Sequence, residues 1–288
     1  MKPLAYEERS GEFTLIPACC LHFPEGEISL IEKFVKRVES DPKARVILLG
    51  DSMDQERTHR RKHRKSYVDD ESSMSTDDRH NRRDVEELAH ILNPISDRIW
   101  GVLQGNHYYQ YSSGVTSDQY LCQLLEVPYC GPVGLFRIAV GGGGKGGANS
   151  SRNLKIWCHH SGGSMGGRTL GGSVNALLRQ ENSWDVDMYL IGHDHRRVCW
   201  RESTMGLTDQ GPPKILERTR VFARVGAFLK TYKHETCIPK KSVHIPGYGE
   251  NAAYRPSDLG WVEIGVKLKK PHRDPSRFGF DLRVPDVQ

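Results

Sequence analysis

Four short motifs in this sequence carry side chains that bind metal ions, and each closes an apolar run. They are Cys20-Leu21-His22, Gly50-Asp51-Ser52-Met53-Asp54, Gly105-Asn106-His107 and Gly192-His193-Asp194-His195. A fifth, Cys158-His159-His160, falls between the last two. Mixed carboxylate, amide and imidazole donors suit Mn, Fe, Zn, Ni or Co better than Ca or Mg. Two such ions about 3.5–4 Å apart can hold a phosphate between them and activate a water. A carboxylate shared by both ions is then needed, and Asp51 is placed for it. Cys20 has two readings. As a thiolate it suits Zn or Fe(II) and keeps one negative charge at the site. As an apolar filler it leaves a first metal weakly held or missing.

Other candidates carry less. Cys19 is expected to point away from Cys20, because neighbours on a strand face opposite sides. Asp54 is expected to support the Asp51 loop or start a helix, and Asp194 to stand behind the ligands or in solvent. Ser164 sits in a Gly-x-Ser-x-Gly pattern, but a glycine-rich loop makes that match cheap. The run 141–147 lacks the Ser or Thr after Lys145 that a phosphate loop requires, and reads as a hairpin connector. Cys122, Cys130, Cys199 and Cys237 read as apolar packers. His59, His63, His80, His90, His234, His244 and His272 read as solvated or packed.

The elements that must position these side chains follow from apolar spacing. Residues 13–20 and 44–49 read as buried strands joined by a helix over 28–38. That unit favours a parallel pair with its ligands at the C-terminal strand edge. A helix is expected at 83–92, a strand at 97–103, a helix at 118–125, and strands at 135–140, 154–158 and 187–191. The last third alternates short strands with Gly and Pro turns, at 197–201, 214–224, 242–246, 260–268 and 278–284. Helices early and hairpins late imply an α/β fold of two mixed sheets packed face to face and flanked by helices. With no repeat and no linker, residues 1–288 are expected to form one domain, with a charged insertion or lid at about 55–83.

Bulk properties bound the reading. The chain has 288 residues, 37% of them hydrophobic, and a formal charge of +5. No apolar stretch approaches the roughly 20 residues that span a bilayer, and residues 1–16 hold no signal core. Seven cysteines with no Cys-x-x-Cys pair argue against a disulfide framework and a zinc ribbon. A cytoplasmic protein without membrane contact is expected. Residues 57–65 carry six positive charges and no acid, so the rest of the chain is close to neutral. Such a block is either a solvated segment or a lid that draws phosphate-rich substrate electrostatically.

In their order, the motifs resemble the calcineurin-like metallophosphoesterases over roughly residues 12–230. The resemblance is strongest to a branch common in bacteriophages and bacteria, which implies a host cytoplasm if the chain is phage-encoded. It rests on the Leu49-Gly50-Asp51 strand end, on Asn93-Pro94-Ile95-Ser96-Asp97-Arg98-Ile99-Trp100 before Gly105-Asn106-His107, and on the glycine-rich stretch after His160. It implies a four-layer αββα sandwich holding two divalent ions, Mn, Zn, Fe or Ni. Cys20, His22, Asp51 and His195 would hold the first; Asp51, Asn106, His160 and His193 the second. His160 is preferred to His159 because the family's histidine directly precedes a small, glycine-rich loop.

Asp51 and His107 are the implied catalytic residues, His107 contacting phosphate and protonating the leaving oxygen. Asn106 and His107 would bind substrate, with Arg57, Arg60, Arg61 and Lys62 as further candidates. The implied reaction is phosphate-ester hydrolysis by in-line attack of a metal-activated water. A phosphodiester is favoured, DNA included. The alternatives are a small-molecule phosphomonoesterase and a catalytically impaired binding module. Two positions depart from the family: Cys20 replaces the usual aspartate, and Tyr108 replaces the acid that follows Gly-Asn-His.

Overall fold

Continuous apolar runs become central parallel strands, since a strand covered on both faces needs no polar side. In the computed structural model, β2 (Glu12–Ala18), β3 (Ala44–Leu48) and β4 (Ile99–Leu103) lie side by side and parallel. The described residues are 3–54, 71–141, 152–160, 169–207, 212–232, 255–269 and 278–287. β5 (Tyr129–Gly131) extends this sheet in parallel beyond β4, and β11 (Glu263–Leu268) and β12 (Phe278–Arg283) extend it antiparallel beyond β2. The second sheet runs in the order β1 (Leu4–Glu8), β6 (Val133–Val140), β7 (Arg152–His159), β8 (Met188–Ile191), β10 (Ile215–Val225), β9 (Arg197–Leu207). Its β1–β6, β7–β8 and β8–β10 pairs are parallel, and β6–β7 and β9–β10 antiparallel.

Alternation along each strand sorts side chains into layers. Ile47 and Leu49 join Leu154, Ile156, Cys158, Met188 and Leu190 in one core between the sheets. Val46 and Leu48 face the other way and pack under α1 (Ile28–Glu39), α2 (Glu71–Leu92) and α3 (Ser117–Leu125). α1 turns Leu30, Ile31, Phe34, Val35 and Val38 onto that face. On the far side, Trp157, Tyr189 and Phe222 pack with Leu177 of α4 (Leu170–Leu178). The result is a helix–sheet–sheet–helix stack of two mixed sheets, as the sequence implies. Among the described residues no helix is long and apolar enough to cross a membrane.

Three expectations change. Residues 71–83 are not part of a loop: α2 starts at Glu71. Its stretch 76–83 is polar and is held by polar contacts, which apolar periodicity does not register. β1 was not foreseen, because its partner β6 lies more than a hundred residues away. The strand expected at 13–20 stops at Ala18, which matters for both cysteines that follow. The basic block 57–65 with Arg57, Arg60, Arg61 and Lys62, the run 142–147, Ser164, the strand expected at 242–246, Cys237, and His59, His63, His234, His244 and His272 lie outside the described residues.

Candidate metal centre

The motif side chains meet where the C-terminal ends of both sheets adjoin. Cys20 and His22 follow β2, Asp51 follows β3, and Asn106 and His107 follow β4. From the other sheet, His160 follows β7, and His193 and His195 follow β8. Cys20, His22, Asp51, His193 and His195 all have positive φ, between 48° and 80°. Non-glycine residues avoid that region, and its clustering at a site marks backbone strain held by the surrounding structure. The turn after β2 is laced to the one after β3, with the N–H of Cys20 donating to Gly50 O and that of His22 to Asp51 O, both at 3.0 Å.

The motif glycines permit the approach. A Cβ on Gly105 would lie 2.1 Å from Asp51 N, and one on Gly192 would lie 1.9 Å from Cys19 Sγ.

Asp51 is the hub, 1% exposed. The backbone N–H groups of Asn106 and His107 donate to its Oδ1 at 2.6 and 2.9 Å. Its Oδ2 lies 3.0 Å from His160 Nε2 and 3.8 Å from His22 Nε2. Asn106 Oδ1 is 2.9 Å from the same His160 nitrogen. On the other side His22 Nε2 lies 3.3 Å from His195 Nε2. The far nitrogens are anchored: His160 Nδ1 lies 2.6 Å from Leu49 O and His195 Nδ1 3.2 Å from Ser257 Oγ. Such outer contacts aim a ligand's Nε2 at a shared centre.

The structure thus brings Cys20, His22, Asp51, Asn106, His160, His193 and His195 to one place, as close-set groups Cys20–His22–His195 and Asp51–His160–His193. His159 does not join them: it stacks on Trp157, with centroids 5.8 Å apart, on the outer face of its sheet.

Electrostatics follow from this crowding. Burial opposes the charge on Asp51, but His160, His22 and His107 hold its carboxyl well below the usual range. Burial likewise opposes protonation of His160, yet Asp51 and then Cys19 raise it well above an ordinary histidine. Burial and the neighbouring His160 push His193 down to about 4, and burial and His22 push His195 down to about 3. Both therefore offer lone pairs over the neutral range.

Several functional neighbours were not legible in advance. Asp54 Oδ1 lies 2.7 Å from His107 Nδ1, and its Oδ2 3.6 Å from His22 Nδ1. It supplies the orienting carboxylate for which the sequence offers Tyr108 instead. Asp118, fully buried, accepts from Gly105 N at 3.0 Å. Arg224, 1% exposed, reaches Asp194 Oδ2 and donates to Gly192 O, each at 3.3 Å, so it grips the turn carrying His193 and His195.

Cys19 does not point away from Cys20. Their sulfurs are 3.2 Å apart, because the strand has ended and the left-handed Cys20 backbone breaks the alternation. Burial and Cys19 push the Cys20 thiol well up; burial raises Cys19 too, but its contacts with Cys20 and His160 bring it down to about 6.

A scan against protein-family models finds no match, and a search of curated proteins finds none. Among solved structures, Vps29 from Chaetomium thermophilum aligns over 94% of this chain and 95% of its own at 13% identity, with a TM-score of 0.38. The NAD nucleotidase NadN from Haemophilus influenzae aligns over 94% of this chain and 49% of its own at 8% identity, TM-score 0.43. The calcineurin-like phosphoesterase YfkN from Bacillus subtilis aligns over 94% and 90% at 9% identity, TM-score 0.35. Likenesses this distant leave the functional reading to the residues themselves.

Proposed function

We propose that this chain is a metal-dependent phosphoesterase of the calcineurin-like type, with a phosphodiester as its favoured substrate. The carrying observation is the convergence on Asp51 of donor atoms from both sheets. His160 Nε2, Asp51 Oδ2 and Asn106 Oδ1 face one another across about 3 Å, while His160 Nδ1 is turned to a carbonyl. Lone pairs so arranged repel unless a proton or a cation lies among them. The donors fit two divalent transition-metal ions. Cys20, His22, Asp51 and His195 would hold one, and Asp51, Asn106, His160 and His193 the other, Asp51 belonging to both sets. Bound there, such ions supply Lewis acidity and a water of lowered pKa.

The chain's own residues do the rest. Asp54 Oδ1 accepts a hydrogen bond from the Nδ1–H of His107, which fixes the ring, and a second proton carried on Nε2 is the one given to the leaving oxygen. Backbone donation from Asn106 and His107 holds Asp51 in register. The basic block 57–65, three residues after Asp54, supports a polyanionic substrate such as DNA, bound electrostatically and without base specificity.

A second reading, a binding module with an impaired first site, is favoured by the raised, fully buried Cys20 thiol. Metal content per chain and hydrolysis of a chromogenic aryl phosphodiester under Mn or Zn separate the two. We expect two ions and turnover in the wild type, and loss of both in Asp51→Asn. One ion or none with no turnover overturns the enzyme. If deleting 57–65 leaves the salt dependence of DNA binding unchanged, the nucleic-acid part falls.

A further inference from the structure

We propose that Cys19 and Cys20 are a redox-modifiable pair that closes to a vicinal disulfide under a peroxide-class oxidant. Strand neighbours ordinarily aim apart. Here the backbone turns left-handed at Cys20, φ 55°, and puts the two free sulfurs 3.2 Å apart, already in contact. The arrangement is pinned from three sides. Gly192 passes so close that a Cβ there would strike Cys19 Sγ at 1.9 Å. Cys19 Sγ also meets Leu49 O at 3.4 Å and Gly50 O at 3.5 Å. These are weak S–H contacts, so giving up the thiol hydrogen costs little. Cys19 has no place in the ligand sets assigned above, though its Sγ also lies 3.5 Å from His160 Nδ1, in a close-set group with Cys20.

The chemistry balances. One sulfur attacks a peroxide oxygen, the O–O bond breaks, and a sulfenic acid and one water form. The second sulfur then attacks the sulfenyl sulfur, forming S–S and releasing a second water. Each sulfur gives up one electron, peroxide takes both, and the two thiol hydrogens leave in water. A disulfide sulfur has no thiolate to offer a metal. The consequence, which rests on the function proposed above, is that oxidation empties the first metal site. Asp51, Asn106, His160 and His193 keep their donor atoms.

The test uses the full chain, stripped of metal with a chelator and treated with hydrogen peroxide. Trypsin cuts after Arg9 and Lys33, so one peptide, 10–33, contains Cys19 and Cys20 and no other cysteine. We expect it to lose the mass of two hydrogen atoms and to regain it with a phosphine reductant. In Cys19→Ser that loss is absent and Cys20 takes up oxygen instead. A wild-type peptide that only gains oxygen, or does not change, overturns the proposal. After reloading, the oxidised chain should hold one ion where the reduced chain holds two; a disulfide with unchanged metal content overturns the link to the first site. If the disulfide forms in a chain that binds no metal even when reduced, the phosphoesterase reading fails and the redox pair stands.

Discussion

At the scale of single residues, this chain surrounds one carboxylate with groups whose protonation it dictates. Asp118 is the least expected of them. Burial lifts its carboxyl to about 7, with Asp51's charge adding and the Gly105 N–H opposing. The unfolded carboxyl titrates near 3.8. The folded state thus holds a proton that the unfolded state has released. Its stabilising contribution is complete below about 3.8 and is lost as pH rises towards about 7. Asp118→Asn keeps an acceptor for Gly105 and removes the titration. In metal-free protein the variant should therefore gain stability over wild type between pH 4.5 and 7.5, by as much as about 4 kcal/mol at 1.4 kcal/mol per unit. Urea unfolding across that range checks it; parallel curves for the two proteins would refute it. No sequence pattern announces Asp118, because its role comes from the burial of a turn thirteen residues away. The ligands themselves were legible because each directly follows a strand whose apolar run is plain.

At the scale of elements, what was legible depended on which force docks each piece. α1 shows an apolar stripe, and α3 opens on a capping box in which Thr116 and Gln119 satisfy each other's backbone N–H. Residues 76–83 of α2 show neither. They dock through Asp78, whose Oδ1 accepts from Tyr109 Oη at 2.8 Å and whose Oδ2 accepts from Ser112 N and Oγ at 2.9 and 2.6 Å. Arg82 lies over the Tyr111 and Tyr120 rings at 4.3 and 4.8 Å. Polar docking carries no hydrophobic period, so the sequence shows a charged loop where a helix stands. It also ties α2 to the loop that delivers Asn106 and His107. Asp78→Ala removes the acceptor from the buried Tyr109 hydroxyl, worth about 1–3 kcal/mol when left unmade, and from Ser112, which is exposed and can turn to water. We expect a loss of about 1–3 kcal/mol in urea unfolding and faster amide exchange over 76–92 and 105–116. Unchanged exchange in the second segment would mean that α2 does not support the Asn106–His107 loop.

At the scale of the whole molecule, the two sheets share an apolar core, but at the site they meet through polar groups. Cys20, His22, Asp51 and Asn106 stand on one sheet; His160, His193 and His195 stand on the other. Ions held among them would cross-link the layers, so occupancy should appear as global stability. A site filled at a hundred times its dissociation constant adds about 2.7 kcal/mol. At about 2–4 °C per kcal/mol for a chain of this class, chelation should lower Tm by roughly 5–10 °C for each site so filled. The increment should also depend on pH. His160 is raised well above 6.5 by Asp51 and Cys19, against its burial, so an ion must displace its proton. The gap between metal-loaded and chelated Tm should therefore widen as pH rises from 5.5 to 8. His193 and His195, already neutral in that range, add nothing to the slope. Cys20→Ala should narrow the gap to that of one site and flatten the slope, because the raised Cys20 thiol must also lose its proton to bind, while the part due to His160 survives. Differential scanning calorimetry with and without chelator, in both proteins, reads all three effects. A gap that does not respond to pH would remove His160 from the ligands, and one equal in the two proteins would remove Cys20.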